Sequence, residues 1–277
     1  MRIVEKDGQF HLQGVGNFDL ALTLDCGQCF HWEICPDGFW QGVVKGKFCR
    51  VRQQKSTLVF THTDRKTIRR FWIPYFSLDR DYAALCRDFS CDEVLCRAVA
   101  FAPGIRVLRQ DPWETLCSFI ISQNNNIPRI KVIIHRLCEL MGEDIGAPMK
   151  AFPSPQALAA CTAEDLSPLR AGFRAKYLLD AAKKVADGSL PLDTLKGLDT
   201  ENAREMLMTV YGVGKKVADC VLLYSLEKYE VIPLDVWMKR VVSQYYPNGF
   251  PPHLAKDLGI AQQYLFHYAR CHGDEIK

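Results

Sequence analysis

The chain has no apolar run of about 18 residues, the length a membrane-spanning helix requires. Its N-terminus, MRIVEKDGQF, lacks the apolar core of a secretion signal. These absences point to a protein that meets no membrane and works inside a cell. Tandem repeats, low-complexity tracts and long linkers are missing too, so solenoids and disordered scaffolds are excluded. There is little excess of charge: 35 Lys and Arg oppose 32 Asp and Glu, a net +3, which singles out no partner. The pair Cys26 and Cys29 in CGQC has zinc spacing, but no second pair resembles it, so no metal is expected. Twelve cysteines without a secretion signal read as reduced thiols.

What is present is an ordinary globular composition. The 277 residues are 48% hydrophobic and 24% charged, enough for two or three small domains. The clusters KFCRVR and RKTIRR are basic and read as solvated surface. Residues 1 to about 63 read as strands. FDLALTL alternates, with Phe18, Leu20, Leu22 and Leu24 on one face. CPDGF supplies a hairpin turn between FHWEI and FWQGVV, and TLVFTHT is a further strand.

From Asp64 the period becomes helical, with Pro74 separating TDRKTIRRFW from LDRDYAALCRDF. QDPWETLCSFIISQ starts with Asp111 as cap, Pro112 in the first turn and Glu114 at the capping-box position. NNN (Asn124 to Asn126) interrupts, and Pro128 opens the next helix. RAKYLLDAAKKVADG is another, stopped at Gly188. The expected fold is α+β: an N-terminal antiparallel β-sheet domain with flanking helices over 1–96, then a mainly α-helical, two-lobed domain over 97–277.

Within that second domain, TENAREMLMTV, YGVG and KKVADCVLLYSLEKY spell helix, hairpin, helix at about 201–227. Gly212 and Gly214 permit positive φ and remove bulk. A helix start then presents free N–H groups, which suit a phosphate, and a duplex backbone could dock there without any base being read. Lys215 suits a phosphate contact. Lys216 has two readings: an ion pair with Asp219, or a neutral amine acting as a nucleophile through a Schiff base. Cys220 shares its face one turn on. Asp235, in VIPLDVWMKRVV, can be an N-cap, a carboxylate facing the lysine, or both.

GVGKKVADC followed about twenty residues later by PLDV resembles the helix-hairpin-helix DNA glycosylases. CGQCFHW, YFSLD, RVLRQDPWETLCSFIISQNNNIPRI, AGFRAKY and AQQYLF extend the likeness over nearly the whole chain, specifically to the 8-oxoguanine DNA glycosylase/AP lyases. The resemblance implies excision of 8-oxoguanine opposite cytosine from duplex DNA in base excision repair, by a monomer that needs no cofactor or metal. It implies that Lys216 is the catalytic amine and Asp235 the essential carboxylate. Gly27 would read the damage by its carbonyl. Gln262 would bond the Watson–Crick edge of the flipped base, with Phe266 and Cys220 on its two faces. Asn124, Arg129 and Arg174 would hold the opposite cytosine, and Phe173 would fill the gap. Gly212, Gly214 and Lys215 would grip the backbone.

Two departures stand out. Trp237 occupies a position where the family often has a DNA-contacting histidine. Cys271 alone stands where endonuclease III relatives carry a four-cysteine cluster motif, so no cluster is expected. Two other readings compete: a glycosylase for another damaged purine, and a non-catalytic helix-hairpin-helix DNA-binding protein. Lys216 argues against the first, and the set Lys216, Cys220, Asp235, Gln262 and Phe266 against the second.

Overall fold

A computed structural model describes residues 1–273. Six strands form one antiparallel sheet in the order β1-β2-β6-β5-β4-β3. They are β1 (Arg2–Lys6), β2 (Gln9–Gln13), β3 (Trp32–Ile34), β4 (Trp40–Val44), β5 (Lys47–Gln54) and β6 (Thr57–Thr61). The expected hairpin around CPDGF is there, with Trp32 facing Gly42 and Ile34 facing Trp40. One sheet face closes on an aromatic cluster in which the Trp32 indole donates to the Tyr75 hydroxyl at 2.8 Å.

One expected strand is a helix. FDLALTL gives α1 (Leu20–Asp25), capped by Asp19, whose carboxylate accepts from the Leu22 N–H. Leu20, Thr23 and Leu24 are its buried residues, a helical spacing in which a threonine takes an inward place. Leu22, assigned to the same face as Leu20 and Leu24, is only half-buried. Pro74 is also not the break expected. α2 (Arg65–Thr67) widens through a π-type turn (Ile68–Trp72) into α3 (Ile73–Tyr75), and Pro74 lies in the first turn of α3. The helical run is continuous from Arg65 to Tyr75, so Pro74 sits in its last turn, and the π-type turn before it re-routes the hydrogen-bond ladder around the missing N–H.

α4 (Tyr82–Phe89) and α5 (Glu93–Phe101) follow. Tyr82, Leu85, Phe89 and Leu95 pack into the helical core, whereas Phe76 belongs to the core of the sheet. The remaining helices are α6 (Pro112–Ser122), α7 (Ile127–Met141), α8 (Pro155–Ala159), α9 (Arg174–Ala186), α10 (Leu192–Leu195), α11 (Thr200–Met208), α12 (Lys215–Ser225), α13 (Val236–Tyr245) and α14 (Leu258–Cys271). Asp111 caps α6 through the Glu114 N–H. The Glu114 carboxyl meets the Lys45 backbone N–H, and burial pushes it well above the usual range.

α12 is the central element. Every residue from Val217 to Ser225 is buried, and the helix packs against α6 and α11. Such a helix is anchored all round, and only its first turn opens outward. Among the described residues no helix is long and apolar enough to cross a membrane.

Candidate active site

One cleft of about 1280 Å³ runs along the open end of α12. Lys216, Cys220, Asp235, Gln262, Phe266 and Gly27 all line it, as do Asn124, Phe173, Gly214 and Trp237. Residues from separate stretches of chain thus meet in one place. Arg129, Arg174, Gly212 and Lys215 do not line this cleft but belong to elements that frame it.

The hairpin fixes Lys216. Gly212 has φ +79°, and a Cβ there would stand 2.4 Å from the Tyr177 ring, so both its backbone and its lack of a side chain are required. Gly214 differs from expectation. Its φ is −98°, and it serves as a bare N-cap with no side-chain bond. Asp219 does not pair with Lys216. It is buried and bonds Arg204 at 2.6 Å and Lys215 at 3.2 Å. The i, i+4 relation joins Lys215 to Asp219 and Lys216 to Cys220, on different faces. Lys216 is therefore free to reach into the cleft, its Nζ 5.1 Å from the centre of the Phe119 ring. Phe119 in turn stacks on Tyr224 at 5.3 Å.

Asp235 caps α13, accepting the Met238 N–H at 2.8 Å. Its carboxyl is nevertheless held above the ordinary carboxylate range, because burial outweighs that bond and the nearby Lys216 amine. Burial also pushes the Cys220 thiol up to about 11, against the pull of Lys216. The lysine thus faces a neutral thiol on its own helix and a desolvated carboxylate across the cleft.

The opposite wall is made by Gly27 and α14. Gln262 is 2% exposed, not solvated surface. Its Oε1 is buried with no hydrogen-bond partner. Such an acceptor is costly unless a donor arrives, by roughly 1–3 kcal/mol. Gly27, at φ +87°, closes the turn after α1, with the Phe266 ring and the Arg270 guanidinium beside it. Arg270 donates to the Asp25 carbonyl at 3.2 Å, and Lys131 bonds the Asp25 carboxylate at 2.7 Å.

The rim of the cleft carries the NNN loop. Asn124 adopts φ +48° and is exposed. Arg174 is buried, and most of its donors are engaged by backbone carbonyls. It donates to the Gln123 carbonyl at 2.8 Å, the Asn124 carbonyl at 2.9 Å and the Ala171 carbonyl at 3.1 Å. Burial and then neighbouring Arg129 hold its guanidinium below the ordinary value. Arg129 is exposed, and among the described residues no hydrogen bond or salt bridge ties its guanidinium. Phe173 stands 47% exposed at the start of α9, edge-on to Tyr177. Trp237 packs against Gly273 and under Arg240 rather than standing free.

Sequence reasoning misses Phe119, Tyr224 and Arg270. Phe119 lies off the apolar stripe of α6 formed by Trp113, Leu116, Cys117, Ile120 and Ile121, and that offset is its available signal. Nothing local distinguishes Arg270.

Residues 12–116 match the family model of the 8-oxoguanine DNA glycosylase N-terminal domain. Residues 117–253 match that of the HhH-GPD superfamily base excision DNA repair proteins. The chain is 32% identical to the N-glycosylase/DNA lyase of Saccharomyces cerevisiae, over 86% of this chain and 71% of that one. It is similar in structure to MBOgg1 in complex with a low-affinity DNA ligand, with a TM-score of 0.91, 41% identity and 98% and 99% of the two chains covered. It is also similar to the Clostridium acetobutylicum 8-oxoguanine glycosylase/lyase in complex with duplex DNA containing cytosine opposite 8-oxoguanine, with a TM-score of 0.90, 37% identity and 99% of each chain covered. Carried by matches over both of its halves, the chain belongs to the 8-oxoguanine DNA glycosylase family within the HhH-GPD superfamily of base excision DNA repair proteins.

Proposed function

We propose that the protein is a bifunctional DNA glycosylase/AP lyase that removes 8-oxoguanine opposite cytosine from duplex DNA. The observation that carries this is the meeting, in one cleft, of a freed amine (Lys216), a desolvated carboxylate (Asp235) and a buried, unpartnered amide oxygen (Gln262). Amine and carboxylate supply the chemistry, and the amide oxygen awaits a donor from a base.

C1′ is shielded inside a duplex, so the damaged nucleotide must swing out, at a few kcal/mol of lost stacking. Phe173 fills the gap. In the cleft, Gln262 Oε1 accepts from the N1–H and N2–H edge that guanine and 8-oxoguanine share. Gly27 makes the distinction between them. Its carbonyl accepts the N7–H of 8-oxoguanine and faces a lone pair on guanine. Phe266 and Cys220 flank the ring.

Lys216 Nζ, once it has lost a proton, attacks C1′. The C1′–N9 bond breaks, its electron pair leaves with the base, and the base takes up a proton. The ionised Asp235 stabilises positive charge building on the sugar. The C1′–O4′ bond of the resulting N,O-acetal then breaks, O4′ takes up a proton, and the nitrogen lone pair forms the C1′=N bond of a Schiff base with Lys216. Loss of a proton from C2′ then expels the 3′ phosphate by β-elimination. The bare start of α12 and Lys215 hold the backbone during these steps. Such work is done inside the cell, by a monomer, and a bacterial nucleoid is its expected setting.

The test is release of free 8-oxoguanine and strand nicking on an 8-oxoguanine:cytosine duplex. Both products are expected. Release of another damaged purine instead, with 8-oxoguanine untouched, would contradict the reading.

A further inference from the structure

Behind the NNN loop lies a second cavity of about 400 Å³. Arg129, Arg136 and Arg170 surround it, over an apolar floor of Pro128, Val132 and Ile133. Arg129, Val132, Ile133 and Arg136 are spaced i, i+3, i+4 and i+7, so one face of α7 provides both the floor and two of the guanidinium groups. Arg170 comes from the far side. It ends the short 3-10 turn Ser167–Leu169 with φ +53°, a left-handed conformation that non-glycine residues rarely adopt.

Two observations separate this cluster from ordinary solvated charge. Arg50, Arg109 and Arg204 are paired, with Asp37, Asp79 and Asp219. Single arginines such as Arg69 and Arg87 are unpaired too among the described residues, but here three converge on one cavity. Among the described residues, the three around this cavity have neither a salt bridge nor a side-chain hydrogen bond, and no acidic residue lines it. The cavity also adjoins the candidate active site, because Asn126 and Pro128 line both.

We propose that this cavity holds backbone phosphate of the undamaged strand, beside the base opposite the lesion. The inference rests on the function proposed above. Planar guanidinium forks match phosphate oxygens two at a time, and an apolar floor suits the face of a deoxyribose. Arg136 and Arg170 read no base edge, so they position the strand without adding specificity, while Arg129 at the mouth of the cavity is left for the opposite base. The assignment to the undamaged strand rests on the opposite-base roles expected for Asn124 and Arg129. The damaged nucleotide enters between α12 and α14, whereas α7 lies on the side of Asn124 and Arg129. Arg136 and Arg170 would then keep the opposite base in place while its partner swings away.

The test uses Arg136→Gln/Arg170→Gln, which leaves Arg129 in place. It removes two exposed or half-exposed guanidinium groups that, among the described residues, hold no other side chain or backbone group. Duplex affinity is measured across a salt series with each of the four bases opposite the lesion. The slope of log affinity against log salt should fall by about 1 for each phosphate that is no longer held, equally for all four bases. Neutral methylphosphonate linkages in the undamaged strand, next to the opposite base, should weaken the wild type and leave the double variant unchanged. The same linkages in the damaged strand should weaken both proteins alike. An unchanged salt slope overturns the proposal, and so does sensitivity confined to the damaged strand. Base release by the wild type on the same duplex tests the function separately. If release occurs and the slope does not change, only this inference fails.

Discussion

Gly27→Ala probes damage recognition with the smallest change the cleft allows. A Cβ on Gly27 would stand 3.2 Å from Ile127 Cδ1 and 3.4 Å from both Arg270 Nη1 and Phe266 Cε1. These are ends of side chains, so they can give by a few tenths of an ångström. The backbone cannot be relieved in the same way. At φ +87° an L-residue is strained by about 1–2 kcal/mol, and that sets the expected loss of stability. For a chain of this size this lowers the melting temperature by only a few degrees. The effect on recognition is larger than on folding. Displacing the carbonyl from the N7–H leaves a buried donor and acceptor mismatched, at ~1–3 kcal/mol, or roughly ten- to hundredfold in excision rate. The assay compares excision from an 8-oxoguanine:cytosine duplex with strand cleavage at a preformed abasic site. The abasic substrate has no base to read, so cleavage there should survive. Equal loss on both substrates would refute the reasoning, as would full activity on 8-oxoguanine.

Further expectations concern the carboxylate and the rim. Asp235→Asn should abolish base release yet keep the fold, because asparagine caps as well as aspartate, while Asp235→Ala should also lose about 1 kcal/mol of stability with the Met238 bond. The folded carboxyl titrates above its unfolded value, so its favourable contribution is present at low pH and is lost as pH rises through the folded pKa. Thermal melts of Asp235→Asn should therefore match wild type in acid and equal or exceed it near neutrality; a deficit near neutrality would be the contrary result. Because base release needs the ionised form, its acid limb should lie above the ordinary carboxylate range, as a pH–rate profile would show. Arg129→Ala should relax the preference for cytosine without loss of stability, measured as excision opposite each of the four bases. Arg174→Ala should instead cost roughly 1–3 kcal/mol, seen in denaturant unfolding, since it strands the carbonyls of Gln123, Asn124 and Ala171.

Much of this is legible in the sequence, and the failures have physical causes. The hairpin is readable because glycines, lysines and a following aspartate have few reasons to occur together. α1 imitates a strand because Leu20, Leu22 and Leu24 alternate, and a buried Thr23 hides the helical period. Asp219 looks like a partner of Lys216, but Arg204, fifteen residues before it in sequence, takes up that carboxylate along with Lys215. Arg174 looks like a base reader, and local sequence does not show that its guanidinium also donates to the Gln123, Asn124 and Ala171 carbonyls. Gln262 is placed beside the base only by resemblance, and only the packing of α14 shows its oxygen buried and unpaired.

The central claim is that Lys216 is the nucleophile. Borohydride reduction during reaction with an 8-oxoguanine:cytosine duplex should trap a covalent protein–DNA complex. Lys216→Gln should still bind the duplex but yield no trapped complex, no free base and no nick. Substantial trapping by Lys216→Gln would contradict the account, because some other amine would then be forming the Schiff base.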